Sequence, residues 1–387
     1  MIVVYYDTHT SSLNKLGEEL CGDQVKILRT PDKMLVVLSD GLGSGVKANI
    51  LARLTAEILV TMLRERVPLQ DVLETVVATL PTCKVRHIAY AAFVVVEVEL
   101  ATGRFRVINF DCPPPFLLRA GKILPLEQRE EIIFGRRLFL SDGILQLSDF
   151  LGVISDGVMY AGMGLTMNFG WGRDQIVRYL EQIAKSRPAS AESVVRRLME
   201  KTKSLYADEP GDDATLVGIL VRKPNQLMIF TGPPADKNLD ARCVDRLINF
   251  DGRKVVCGGT TGNIVAEHLG EIVNLDLTTM REEVPPIGSL PDIDLMTEGV
   301  LTLAKTLRLL KASGGHRNRV PMDRNGAALL ARELLGADEI FFLAGEQVNP
   351  YYQNPLLPRN ISIRHNLIEQ LVETLTAYHK NVKIEWC

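Results

Sequence analysis

The sequence has no apolar run near the roughly 20 residues that a membrane-spanning helix needs. The longest run, Ile88–Val96, has the length of a buried strand. The first residues, Met1-Ile2-Val3-Val4-Tyr5-Tyr6-Asp7, lack the basic head and apolar stretch of a secretion signal, so the expected location is the cytoplasm. Cysteine is sparse: Cys21, Cys83, Cys112, Cys243, Cys257 and Cys387 are scattered. No pair has Cys-x-x-Cys spacing, which argues against a zinc cage or a dithiol redox motif and for reduced, partly buried thiols. No charge of one sign dominates. Lys plus Arg is 44 and Asp plus Glu is 47, a net charge of −3, without the basic excess of a nucleic-acid-binding chain. What remains is an ordinary globular composition, 46% hydrophobic and 24% charged, over 387 residues, which suits two domains.

The first 221 residues mix strands and helices. Met34–Ser39 is a compact apolar strand that ends in Asp40-Gly41-Leu42-Gly43-Ser44-Gly45. A helical pattern follows, with Val46, Ile50, Leu54, Ile58 and Met62 recurring every four residues as the expected core stripe. A second helix is expected over Leu69–Leu80. Ala92–Leu100 and Arg104–Phe110 flank Thr102-Gly103 and alternate with period two, Glu97 and Glu99 on one arm and Arg104 and Arg106 on the other. Pro113-Pro114-Pro115 interrupts the ladder. Leu151–Ser155 runs into Asp156-Gly157, two helices follow, and Gly211-Asp212-Asp213 opens the strand Ala214–Val221. Antiparallel hairpins alternating with helix pairs predict a layered sheet protein with helices outside.

Three of these apolar strands end or begin at an aspartate: Asp40, Asp156, and the pair Asp212-Asp213. One Asp-Gly alone reads as a turn. Three at strand ends are rigidly held and partly desolvated, and like charges converging on one sheet edge repel unless a cation lies among them. Hard divalent cations prefer such oxygen ligands. His87, beside Arg86, reads as a surface histidine or a general acid. Gly41–Gly45 lacks the Gly-Lys-Ser/Thr ending of a nucleotide-binding P-loop.

In order and spacing, Asp40-Gly41-Leu42-Gly43-Ser44-Gly45, Ser155-Asp156-Gly157-Val158 and Gly211-Asp212-Asp213-Ala214-Thr215 resemble the metal-dependent type-2C protein phosphatases, in the branch of SpoIIE and RsbX. Glu18-Glu19-Leu20-Cys21-Gly22-Asp23 is similar to that family's early Ser-Gly-Asp element. Asn109-Phe110-Asp111-Cys112-Pro113 is similar to its Asn-Ala-Gly-His-x-Pro segment, with Cys112 where relatives carry His. The resemblance spans about residues 1–221. It implies an α+β fold, an αββα sandwich holding two Mn²⁺ or Mg²⁺. By position, Asp40 would bridge both ions, the Gly41 carbonyl would bind one, Asp156 and Asp212 would complete the other site, and Asp23 would act through water. Asp213 would stand behind these ligands. The implied reaction is hydrolysis of phosphoserine or phosphothreonine by an activated water. The implied substrate is a phosphorylated regulatory protein of the anti-anti-sigma kind. A module that keeps the fold but only binds a phosphoprotein is the competing reading.

Residues 222–387 change rhythm to strand–helix alternation. Strands are expected at Gln226–Thr231, Lys254–Cys257, Asp292–Met296, Glu339–Leu343 and Val382–Glu385, with helices between them, including one over Asn263–Leu269. This predicts a smaller α/β domain with a mainly parallel sheet, regulatory or ligand-binding in role. Its main feature is Gly258-Gly259-Thr260-Thr261-Gly262-Asn263, a small-residue loop between strand and helix. Bare N–H groups and threonine hydroxyls there suit a small anionic ligand, and a tight turn capped by Thr261 or Asn263 suits the same residues. Thr297-Glu298-Gly299 ends another strand and is expected to share a crevice with it. A basic loop with Lys311, His316, Arg317, Arg319 and Arg324 follows. A ligand sensor that controls the phosphatase is the corresponding alternative for the whole chain.

Overall fold

The structure, a computed structural model, describes residues 3–79, 91–133, 136–347 and 363–387. His87 and Cys83 lie outside the described residues. The chain separates into two units, Met1–Lys223 and Pro224–Cys387.

In the first unit the strands are β1 (Tyr5–Leu13), β2 (Asp23–Arg29), β3 (Lys33–Gly41), β4 (Ala91–Glu99), β5 (Arg104–Phe110), β6 (Phe116–Arg119), β7 (Lys122–Leu124), β8 (Arg129–Ile133), β9 (Arg136–Ile144), β10 (Phe150–Ile154) and β11 (Ala214–Arg222). The helices are α1 (Gly45–Arg64), α2 (Leu69–Thr79), α3 (Asp156–Met159), α4 (Arg173–Ala184) and α5 (Ala191–Leu205). One antiparallel sheet has the order β2-β3-β4-β5-β9-β8, the other β1-β11-β10-β6-β7. Strand alternation sets the layers. Met34, Val36, Leu38, Val94, Val96, Leu151, Val153, Val217 and Ile219 form the core between the sheets. Leu35, Val37, Val95 and Ile108 face the other way, onto α1 and α2. Phe150, Ile154, Leu216 and Leu220 face the helices of the opposite outer layer, among them α4 and α5. This is the αββα sandwich that the sequence predicts.

Four details differ from the sequence reading. The stripe of α1 is turned outward at its start: Val46 and Ile50 are each 58% exposed and Leu54 40%. The buried face carries Ala48, Ala52, Thr55, Ala56, Leu59, Val60 and Leu63 instead, because small residues let the helix lie close on β3. Strands β1 and β9 carry no long apolar signal. The Thr- and Ser-rich β1 is a half-buried edge strand on β11, and β9 buries chiefly Leu138, Leu140 and Ser141. Glu97 and Arg106 do stand opposite in register, and each finds an ion pair on its other neighbouring strand, with Lys33 at 3.1 Å and Asp142 at 3.1 Å.

The second unit holds β12 (Gln226–Thr231), β13 (Arg253–Cys257), β14 (Asn274–Asp276), β15 (Ile287–Ser289), β16 (Leu295–Thr297), β17 (Glu339–Ala344) and β18 (Asn381–Trp386), with α6 (Asp240–Ile248), α7 (Gly259–Leu269), α8 (Val300–Ser313), α9 (Gly326–Gly336) and α10 (Ile363–Ala377). Its sheet is mixed. The order is β14-β15-β16-β13-β12-β17-β18, with the β14–β15 and β15–β16 pairings antiparallel and the rest parallel. Val244, Leu247, Val265 and Ala266 of α6 and α7 pack on one face. Leu303, Leu307, Leu330, Leu334, Ile368 and Leu371 of α8, α9 and α10 pack on the other. Helix α7 begins at Gly259, one turn before the expected Asn263.

Candidate metal centre

The alternation that builds the inter-sheet core also aims the aspartates. Met34, Val36 and Leu38 point inward, and Asp40 continues their parity at the end of β3. Asp23, the first residue of β2, pairs in register with Asp40 and shares the parity of Val25, which packs against the same core. On the other sheet, Ser155 follows Leu151 and Val153, while Asp213 and Thr215 precede Val217 and Ile219. Two sheets facing each other therefore bring these side chains to one edge.

Direct contacts tie the group together. Asp40 stands opposite Asp23 in register and lies within the fields of Asp23, Asp156 and Asp212. The Ser155 hydroxyl donates to Asp23 Oδ2 at 2.7 Å, and the Thr215 amide donates to Ser155 Oγ at 2.8 Å. The Asp213 amide donates to Asp212 Oδ1 at 3.0 Å, and the Lys15 amide donates to Asp213 Oδ1 at 3.1 Å. Asp23 and Asp213 are 3% and 5% exposed, yet Asp23 Oδ1 and Asp213 Oδ2 have no hydrogen-bond partner.

The electrostatics follow from burial and like charge. Burial first, then the charges of Asp23, Asp156 and Asp212, push the Asp40 carboxyl up to about 9. Burial raises Asp23 to about 6, against the hydrogen bond from Ser155 that favours its charged form. Asp156 is raised by burial and by Asp212, and Asp212 by burial, with Lys15 pulling it down.

Gly41 and Gly157 have a reason of their own. Neither lies in the left-handed region, so neither is required by a turn. A Cβ on Gly41 would run into the backbone of Ala48, and one on Gly157 into the backbone of Asp213. Each glycine lets α1 or β11 close on its aspartate. The Tyr206 hydroxyl donates to the Gly157 carbonyl at 2.7 Å and holds that segment further.

The structure thus brings Asp23, Asp40, Asp156, Asp212 and Asp213 together. Among the described residues no three acidic, histidine or cysteine side chains close into a ready ligand cage. The donor set nevertheless fits hard divalent cations. It is all carboxylate, and it carries two unpartnered buried oxygens. Ser155, Thr215 and Tyr206 were not singled out from sequence. Ser155 and Thr215 lie within the quoted motifs, and that adjacency was the available signal. Cys112 lies near Asp40, Asp23 and Asp156, and burial followed by those charges pushes its thiol well up. Burial and Asp23 likewise push the Cys21 thiol up to about 12. Neither is a thiolate near neutral pH.

A two-sheet sandwich with an acidic edge is the architecture of the type-2C protein phosphatases. Residues 30–222 match the family model of Stage II sporulation protein E (SpoIIE), and this part of the chain is a SpoIIE-family, type-2C phosphatase domain. Solved structures resemble it at low identity. The phosphatase domain of the cell-fate determinant SpoIIE from Bacillus subtilis is 17% identical, over 58% of this chain and 95% of that one, with a TM-score of 0.44. The RsbU and RsbW domains of Rv1364c from Mycobacterium tuberculosis are 19% identical, over 64% of this chain and 70% of that one, with a TM-score of 0.46. RsbX in complex with magnesium is 17% identical, over 57% and 100%, with a TM-score of 0.41. No curated protein matches the sequence. Among the described residues no helix is long and apolar enough to cross a membrane.

Proposed function

We propose that the first unit hydrolyses phosphoserine or phosphothreonine on a regulatory protein, with anti-anti-sigma-like proteins as the substrate class. The carrying observation is geometric: Asp23 stands in register opposite Asp40 at the sheet edge, Asp23 Oδ1 and Asp213 Oδ2 are buried without a partner, and burial with like charge raises Asp23, Asp40 and Asp156 above their ordinary range. Asp40, the Gly41 carbonyl, Asp156 and Asp212 are the groups to hold two Mn²⁺ or Mg²⁺, with Asp23 acting through water and Asp213 behind them. When bound, such cations supply the positive charge that makes water nucleophilic near neutral pH and offsets charge on the phosphoryl oxygens.

The chain's own residues do the rest. Ser155, itself held by the Thr215 amide, fixes the Asp23 carboxylate. Gly41 and Gly157 allow the close backbone approach that sets the positions of Asp40 and Asp156. With Cys21 and Cys112 held neutral, no thiolate competes for the phosphoryl group, so the pathway needs no phosphocysteine. The role assigned to the second unit is regulation or ligand binding.

The test is turnover of p-nitrophenyl phosphate with Mn²⁺. Wild type turns over. Asp40→Asn loses about a hundredfold or more, and Asp213→Asn loses less. Equal, negligible turnover by wild type and Asp40→Asn would instead make this unit a phosphoprotein-binding module.

A further inference from the structure

The unpaired buried oxygens of the second unit all lie at one edge. Among its described residues these are side-chain oxygens of Thr231, Asp240, Thr261, Glu298 and Thr302. Thr231 is the last residue of β12, and Asp240 is the first of α6, which follows it. Thr261 is in the first turn of α7, after β13, and Glu298 and Thr302 flank the start of α8, after β16. Each therefore stands where a parallel strand hands over to its helix. Thr231 and Thr302 are 0% exposed and Thr261 1%. A buried polar group left unpaired is costly. Five such oxygens gather at one edge of the sheet.

The backbone around them is open to a ligand. Gly258 donates its amide to the Thr297 carbonyl at 2.8 Å, so the loops after β13 and β16 are tied together. A Cβ on Gly299 would lie 3.4 Å from Gly258 Cα, and the Thr261 hydroxyl lies 3.1 Å from the Cβ position of Gly258. The starts of α7 and α8 thus abut, with an unpaired hydroxyl over the joint. Neither helix has a side-chain cap, so first-turn N–H groups remain for an anion. A Cβ on Gly259 would meet nothing within 4 Å, so this position faces free space. In the sheet the parallel strands run β16-β13-β12-β17-β18, and the order reverses beside β12, where Thr231 stands. Open α/β sheets bind ligands outside the carboxyl ends of their strands, the edge that carries the loops after β13 and β16.

The mix of groups defines the ligand. Helix N-termini favour an anion, whereas the carboxylates of Glu298 and Asp240 repel a bare anion and accept hydrogen bonds from hydroxyls. A neutral polyol would leave the helix starts unused. We propose that this edge binds a phosphorylated sugar moiety, free or as a nucleoside monophosphate. The phosphate sits on the first turns of α7 and α8, and the sugar hydroxyls donate to Glu298.

Calorimetric titration of the full chain with ribose 5-phosphate, AMP, inorganic phosphate and ribose tests this independently of the phosphatase reading. Ribose 5-phosphate, AMP or both bind, inorganic phosphate binds about tenfold or more weaker, and ribose does not bind. Tighter binding of AMP assigns the nucleotide, and equal binding assigns the sugar phosphate alone. Gly259→Asp puts a carboxylate into the free space at a helix start, where acidic residues are tolerated, and weakens binding about tenfold or more. Glu298→Gln does the same. Thr261→Val leaves the free protein as stable as wild type or more so, because it removes an unpaired hydroxyl, yet weakens binding. The proposal is overturned if neither phosphorylated probe binds at millimolar concentration. It is also overturned if phosphate alone binds as well as they do, or if the variants bind like wild type.

Discussion

Asp23 and Asp40 stand opposite each other in register at the edge of the sandwich, and burial, then the charges of Asp23, Asp156 and Asp212, hold the Asp40 carboxyl above its ordinary range. Raised in this way, the cluster keeps a proton at neutral pH. A divalent cation binding there must displace it. Calorimetric titration of Mn²⁺ in two buffers of different ionisation enthalpy therefore shows buffer-dependent heats near pH 7, from proton release. Asp40→Asn abolishes the difference. Buffer-independent heats in wild type would contradict the retained proton.

The same shifts predict how the metal-free protein responds to pH. Asp23 at about 6 and Asp40 at about 9 lie above their ordinary value of 3.8. From about pH 4 upward the unfolded chain has released protons that the folded chain still holds, so stability falls as pH rises. The Asp23 contribution to this fall ends near pH 6 and the Asp40 contribution near pH 9. Denaturant midpoints measured with chelator present decline from about pH 5 to about pH 8. The slope flattens in Asp40→Asn. A flat or rising wild-type profile is the contrary result.

Gly157 and Gly41 are places where a single methyl group is costly. Each added Cβ meets backbone, of Asp213 or of Ala48, which cannot swing aside as a side chain can. Gly157→Ala and Gly41→Ala each lose about 1–3 kcal/mol of stability in denaturant titrations. Full wild-type stability in either variant would show that the neighbouring backbone yields.

The two faces of α1 predict opposite responses. Ile50 is exposed, and Ile50→Ser changes stability by about 0.5 kcal/mol or less. Ala52 is fully buried against the sheet, and Ala52→Leu overpacks it at a cost of about 1–3 kcal/mol. Thermal midpoints of the two variants measure the contrast, and the reverse order would restore the apolar stripe as the core face.

How far the sequence reaches depends on the scale of the signal. Asp40, Asp156 and Asp212 were legible because apolar strands lead directly to them. The two-layer core was legible because hairpin alternation reports its own facing. The buried face of α1 was not, since Ala48, Ala52 and Ala56 bury by being small, and apolar periodicity favours the larger residues opposite. The Ser- and Thr-rich β1 carries no burial signal, because it is set by pairing with β11 at the far end of the unit. The glycine in each Asp-Gly pair looked like a turn residue, and its real constraint comes from backbone distant in sequence. In the second unit the strand–helix rhythm was plain. Asp240 and Thr302 resemble any first-turn residues until the sheet gathers their loops.

The central claim is that these separated aspartates hold divalent cations. Anomalous diffraction at the manganese edge, from crystals grown with Mn²⁺, tests it most directly. Two peaks within ligand distance of Asp40, with Asp156 and Asp212 on one of them, are the result expected. No peak at this edge of the sandwich, or manganese bound only elsewhere on the chain, would contradict it.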